Sequence, residues 1–300
     1  MSENFSALVL QITAIVIPVF TLIGLGSLFA RLHKNPDIRF ITDFITYIGA
    51  PALVFYSLLD KELNYENFYP ILASSAAVAI LGIIFGLAAS KKFADGSPAA
   101  ILTVAFMNCG NMGLPICYFA FGREGLAAAT IFFVGMSIMH YTFGSMIAGG
   151  KGRLKEALLL PLTPAAILAI LLNRTQISLP LMIERPVELL ANTTIPLMLI
   201  TLGVRLYTIT AFDKSTALSL GIVRFLVGLI AGLICVYLFN LRGIAANIVI
   251  LQATMPPAVF NFILCEKFSK KPELAASIIF AGTILAMLTI PLLLYILFSL

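Results

Sequence analysis

Charge is scarce in this chain. Only 11% of its 300 residues are Asp, Glu, Lys or Arg, and 60% are hydrophobic. Soluble domains carry about 25% charge, so a soluble fold is excluded, and a mean hydropathy of +1.04 agrees. No soluble domain, long linker or low-complexity tract is left over. Carboxylates are nearly absent from the apolar runs, with Asp43 the one candidate. An intramembrane aspartyl protease needs two facing carboxylates. His140 has no serine-rich motif to serve as a base, so the chain is not read as an enzyme. The four cysteines, Cys109, Cys117, Cys235 and Cys265, show no metal-ligand spacing. They read as small buried hydrophobes, and neither a metal nor a cofactor is expected. The formal net charge is +5, but no basic–aromatic stripe suggests nucleic acid.

What is present is a series of apolar spans, each of the order of the ~20 residues that cross a bilayer. Long uncharged runs cover 5–30, 67–90, 96–122, 125–150, 243–265 and 274–300; shorter ones cover 44–59, 157–173, 189–204 and 225–241. The first is too long for a signal peptide and lacks a basic leader. Together they make ten transmembrane helices of an all-α polytopic membrane protein. Alternate loops hold thirteen Lys and Arg, including Arg31, Lys92, Arg153, Lys214 and Lys271. The opposite loops hold five: Lys61, Arg123, Arg174, Arg185 and Arg242. Positive loops stay cytoplasmic. Both termini are therefore expected outside the cytoplasm, in a cytoplasmic (inner) membrane.

The spans repeat. Pro51 and Pro196 match at an offset of 145, Pro18 and Pro164 at 146, Leu126 and Leu274 at 148, and Pro115 and Pro257 at 142. Residues 1–148 would form one five-helix repeat, 149–156 a cytoplasmic connecting loop, and 157–300 the second repeat. Five is odd, so the second repeat enters the membrane inverted, a build common in secondary transporters.

Two corresponding spans, the fourth and the ninth, are broken. The fourth reads Asn108-Cys-Gly110-Asn111-Met-Gly113-Leu-Pro115, and the ninth Gln252-Ala-Thr254-Met-Pro256-Pro257. Backbone that leaves the helix inside a bilayer needs partners other than lipid, so such breaks line cavities. Pro115 suits the first turn of a new half-helix. The loop before it would be unwound, with Gly110 and Gly113 at positive φ, and would offer free N–H groups and a positive helix end to an anion. Asn108 and Asn111 add neutral donors. In the ninth span the prolines free carbonyls that Gln252, Thr254 and Asn261 could serve, unless those three face the cavity. The competing reading is a proline kink packed against its neighbours.

At these residues the chain resembles the auxin efflux carrier family. Asn108-x-Gly-Asn-x-Gly-Leu-Pro115 is similar to that family's first crossover. Leu251-Gln-Ala-Thr-Met-Pro-Pro257, with Phe262, Cys265-Glu-Lys-Phe268 and Pro272-Glu-Leu274 after it, is similar to its second. The resemblance spans the whole chain. It implies a scaffold and a transport domain, elevator-like movement, a homodimer, and a small organic anion (mono- or dicarboxylate, or aromatic acid) held where the broken helices cross. Asn108 matches the substrate-binding asparagine, and Pro115 and Pro256 match the crossover prolines. The long central loop of the plant members is missing here, which argues against auxin itself.

The remaining ionisable groups inside the spans are few. Asp43 reads as an interfacial residue and His140 as a packed one. Arg224 has two readings. Either it reaches the cytoplasmic interface, or it is a charge partner for a neighbouring helix or a substrate carboxylate. Gly228-x-x-x-Gly232 allows close helix packing, within or between protomers. No carboxylate stands at either break, which disfavours sodium–proton antiport. The alternative to an anion carrier is a sodium-coupled symporter of bile-acid type, with Gln252, Thr254 and carbonyls as ligands.

Overall fold

A computed structural model describes residues 2–34, 36–59, 65–152, 154–177, 179–208 and 214–299. Lys61 and Arg153, used above for orientation, lie outside these residues. The described residues are helical throughout, with no strand among them. Their order is α1 (Ser2–Leu32), α2 (Arg39–Leu58), α3 (Phe68–Phe93), α4 (Pro98–Ala105) and α5 (Cys109–Ile147). There follow α6 (Leu154–Leu159), α7 (Leu162–Arg174), α8 (Leu181–Thr208), α9 (Lys214–Leu238), α10 (Gly243–Ala253), α11 (Phe260–Lys267) and α12 (Pro272–Ser299). Seven of these are long and apolar enough to cross a membrane: α1, α2, α3, α5, α8, α9 and α12. The chain is a multi-pass membrane protein.

Local sequence accounts for the main irregularities. α2 carries a π-turn at Ile45–Gly49 and α5 carries two, at Cys109–Gly113 and His140–Gly144; the first of each ends two residues before Pro51 and Pro115. Proline has no N–H and crowds the carbonyl one turn back, and a widened turn relieves that clash. α4 begins with Pro98 at its first position, where no N–H is missed. Gly122 sits at φ 64° and ψ −151° and breaks α5 into two arms, a conformation open to glycine and few others.

The helices pack as two groups. α1 lies along α8, and α2 against both α7 and α8. The second group is α3, α4, α5, α9, α10, α11 and α12, in which α3 packs on α4, α5 and α9, and α9 on α10 and α12. Outer faces stay apolar, with Leu10, Ile17, Leu168, Tyr237 and Leu288 exposed. In water such faces would be a liability; toward lipid they are not.

Close packing depends on glycines in α3 and α9. A Cβ on Gly82 would lie 2.8 Å from Ala105 Cα, and one on Gly228 would run into the Ala253 carbonyl. Gly86 faces Ile101 and Gly232 faces Ile250 in the same manner. The Gly228–Gly232 pair thus packs within the protomer, on α10. Gly228→Val is expected to cost about 1–3 kcal/mol of stability through overpacking. A fall in melting temperature of the purified protein checks this, and an unchanged melt refutes it.

Candidate functional site

The two broken spans meet. α4 ends at Ala105 and residues 106–108 leave the helix, with Phe106 extended, before α5 begins. α10 ends at Ala253 and residues 254–259 lead into α11. Met107 and Pro257 pair as an isolated antiparallel bridge. Asn108 N–H donates to Pro256 O at 2.7 Å, and Ala258 N–H to Phe106 O at 3.0 Å. The Asn261 side-chain amide also donates to Phe106 O, at 2.9 Å. Backbone that has left the helix in one half is thus satisfied by the break in the other half, as burial demands.

The point of breakage differs from expectation. Unwinding falls on Phe106–Met107–Asn108, and 109–113 is a π-turn instead of a loop. Gly113 has ordinary helical angles (φ −67°, ψ −47°), and neither Gly110 nor Gly113 is among the positive-φ glycines. Both positions are constrained by close approach instead. A Cβ on Gly110 would lie 2.7 Å from the Phe133 ring, and one on Gly113 would overlap the Gln252 amide.

The carbonyls freed by Pro256 and Pro257 are those one turn earlier, Gln252 and Ala253. Met255 N–H reaches Gln252 O at 3.3 Å. Ala253 O accepts from Arg224, which also donates to Val104 O and Ala105 O at the end of α4. Arg224 is 1% exposed. It therefore neither reaches the interface nor pairs with a side chain; it holds backbone at both breaks. Thr254 also departs from its expected role, because its hydroxyl donates back to Ile250 O and Leu251 O. Gln252 donates to Ala129 O at 3.4 Å, leaving its Oε1 buried without a partner.

Beside the crossing lies a cavity of about 190 Å³. Asn108, Gly110 and Asn111 line it from the first break, and Ala258, Val259 and Phe260 from the second. Thr46 of α2 and Ser137, His140 and Tyr141 of α5 complete its polar wall. Its described lining holds no Asp, Glu, Lys or Arg. The first turn of α5 has no carbonyl one turn earlier to bond, and no side chain caps it. The Asn108 side chain is 5% exposed, opens into this space, and makes no hydrogen bond to another described residue. His140 stacks on Phe106 with centroids 4.2 Å apart and meets Phe260 edge-on, while its Nε2 lacks a partner.

Of the binding residues expected from the sequence, Asn108, Gly110 and Asn111 face the cavity, and His140, expected to be packed, lines it as well. Gly113, Pro115, Gln252, Thr254, Pro256, Pro257, Asn261 and Arg224 stand behind it and build the crossing. Ser137, His140 and Tyr141 are spaced i, i+3, i+4 in the second arm of α5, a polar stripe that marks one face. A larger cavity of about 590 Å³ opens elsewhere, between α2, α5 and α8. Tyr56 donates to Glu188 there at 2.7 Å, beneath Arg123. It contains none of the crossing residues.

A family model described as "Membrane transport protein" matches residues 11–156 and 148–294. A protein of Methanothermobacter thermautotrophicus named "Uncharacterized transporter" is 27% identical, over 93% of this chain and 96% of its own. A protein of Rhizobium meliloti named "Putative malonate transporter" is 26% identical, over 96% of this chain and 97% of its own. Auxin efflux carrier component 1 of Arabidopsis thaliana is 27% identical over 41% of this chain and 20% of its own.

Proposed function

The chain belongs to the membrane transport protein family and is a transporter, not an enzyme; from that premise we propose that it carries small organic anions, with a carboxylate bound at the crossing. One observation carries this reading: an uncapped half-helix start and the unpartnered Asn108 amide open together into a cavity walled by neutral side chains. Such a start favours negative charge. A hydrogen bond to a charged group is worth roughly 1.5–3 kcal/mol. Asn111 and Ser137 stand beside it as further neutral donors. Malonate, in the printed name of the Rhizobium relative, sets the scale of acid to test first. Phe133, Tyr141 and Phe260 on the wall offer rings on which an aromatic acid would pack.

The architecture we propose is ten crossings in two inverted repeats, 1–148 and 157–300, joined by 149–156. α4 with the first arm of α5 makes the fourth crossing; α10 with α11 makes the ninth. At 39 residues, α5 would run about 58 Å if straight, twice what one crossing needs, and Gly122 divides it. Packing supports the repeat: Gly82 sits on Ala105 as Gly228 sits on Ala253, at offsets of 146 and 148. α1 on α8 is mirrored by α7 on α2. In this reading α1, α2, α7 and α8 form the scaffold, and the remaining helices move as an elevator past it. Both termini lie outside the cytoplasm.

The alternative, sodium-coupled symport, has Gln252 Oε1 and Asn261 Oδ1 in its favour, two buried oxygens without partners. Transport current in proteoliposomes on adding a panel of organic acids tests both. Saturable current for one acid without sodium supports the anion carrier. Current that requires sodium supports the alternative. Binding of none of the acids removes the first reading.

A further inference from the structure

Arg224 is a full charge in the membrane interior, and among the described residues its partners are backbone carbonyls, with no carboxylate among them. A guanidinium stays protonated in proteins, and one at this depth is costly unless satisfied. Its partners are Val104 O and Ala105 O at the end of α4, and Ala253 O at the end of α10. It does not line the cavity.

Each helix C-terminus carries about −0.5 of a charge and each N-terminus about +0.5. Four half-helix ends meet at this crossing. Two C-terminal ends, about −1 together, face Arg224; two N-terminal ends, of α5 and α11, face the cavity. Without Arg224 the four ends would nearly cancel. With it the negative pair is neutralised, and the positive pair is left to act on whatever enters.

We infer that Arg224 is a positioning residue that sets the sign of the potential in the cavity, acting through the helix ends it caps and not by touching the ligand. It makes the crossing select anions and exclude cations of equal size. For the class of ligand the inference rests on the proposed anion carriage, but the potential itself is measurable with no substrate present.

Ser137 lines the cavity and is half-buried, so Ser137→Cys places a reporter thiol there. Its rates with an anionic and a cationic methanethiosulfonate (sulfonatoethyl and trimethylammonioethyl) are compared with those of a free thiol. The rate of protein lacking this cysteine is subtracted. With Arg224 present, the anionic reagent is expected to gain about tenfold over the free thiol, the scale of a unit charge at roughly 10 Å and an effective dielectric near 20. Adding Arg224→Gln should bring the ratio to within about twofold of the free thiol. Arg224→Lys keeps the charge and should keep the preference. A purely structural clamp predicts no such difference between Gln and Lys in folded protein. Size-exclusion profiles identify variants that do not fold. Should Arg224→Gln be among them, the ratio in protein that retains Arg224 still decides, and a free-thiol value there overturns the inference. An unchanged preference in folded Arg224→Gln overturns it as well. An anionic preference in protein that binds no organic acid would leave this inference standing and remove the proposed substrate class.

Discussion

Gly113→Val is expected to abolish transport. Position 113 closes the π-turn on which the first half-helix starts, and an added Cβ there overlaps the Gln252 amide. The backbone angles suit any residue, so the defect is steric. Overpacking costs about 1–3 kcal/mol, and relief is available only by moving Gln252 off Ala129 or by tilting the half-helix away from the cavity. Tilting displaces the donors proposed to reach the ligand, while moving Gln252 breaks its bond to Ala129 O and disturbs the crossing behind them. Gly113→Ala should be milder, and Gln252→Ala should partly restore it, because the obstructing amide is gone. Such coupling is what a double-mutant cycle reads. Gly24→Ala serves as the control, since a Cβ there meets nothing within 4 Å. Initial uptake rates in proteoliposomes check the series, and wild-type uptake by Gly113→Val would sink the argument.

Asn108→Ala is expected to weaken binding of the proposed anion by about tenfold to a hundredfold, the loss of one hydrogen bond to a charged group at roughly 1.5–3 kcal/mol. The fold should not notice. The Asn108 side chain bonds no described residue, while its backbone N–H, which alanine keeps, holds Pro256 O. Equilibrium binding and thermal melting separate the two effects. Wild-type affinity in a folded mutant removes Asn108 from the site; a lowered melt would recast it as structural.

Seven apolar helices of membrane length and the existence of both breaks were legible in the sequence, because hydrophobic runs, prolines and glycines speak locally. The position of the first break was not. Composition pointed to 108–115, but unwinding falls on 106–108, sharing only Asn108, where partners arrive from Pro256 and Ala258 about 150 residues away. Tertiary pairing, absent from any local window, decides which residues of a weak segment leave the helix. Arg224 was legible as an oddity and opaque in role. Backbone carbonyls carry no sequence signature, so an arginine that caps two helices looks like one awaiting a carboxylate. The polar stripe Ser137, His140, Tyr141 could have been read from its spacing alone.

The bridge between Met107 and Pro257 also has a consequence for how the protein is made. At roughly 5–20 residues per second of synthesis, the second strand of that pairing leaves the ribosome about seven to thirty seconds after the first. Through that interval Phe106 O and Asn108 N–H stand in the membrane without the partners that later satisfy them. The first half of the chain is therefore an unfinished object until the second is inserted. Its helices can be threaded, but its centre is completed only by the last third of the polypeptide.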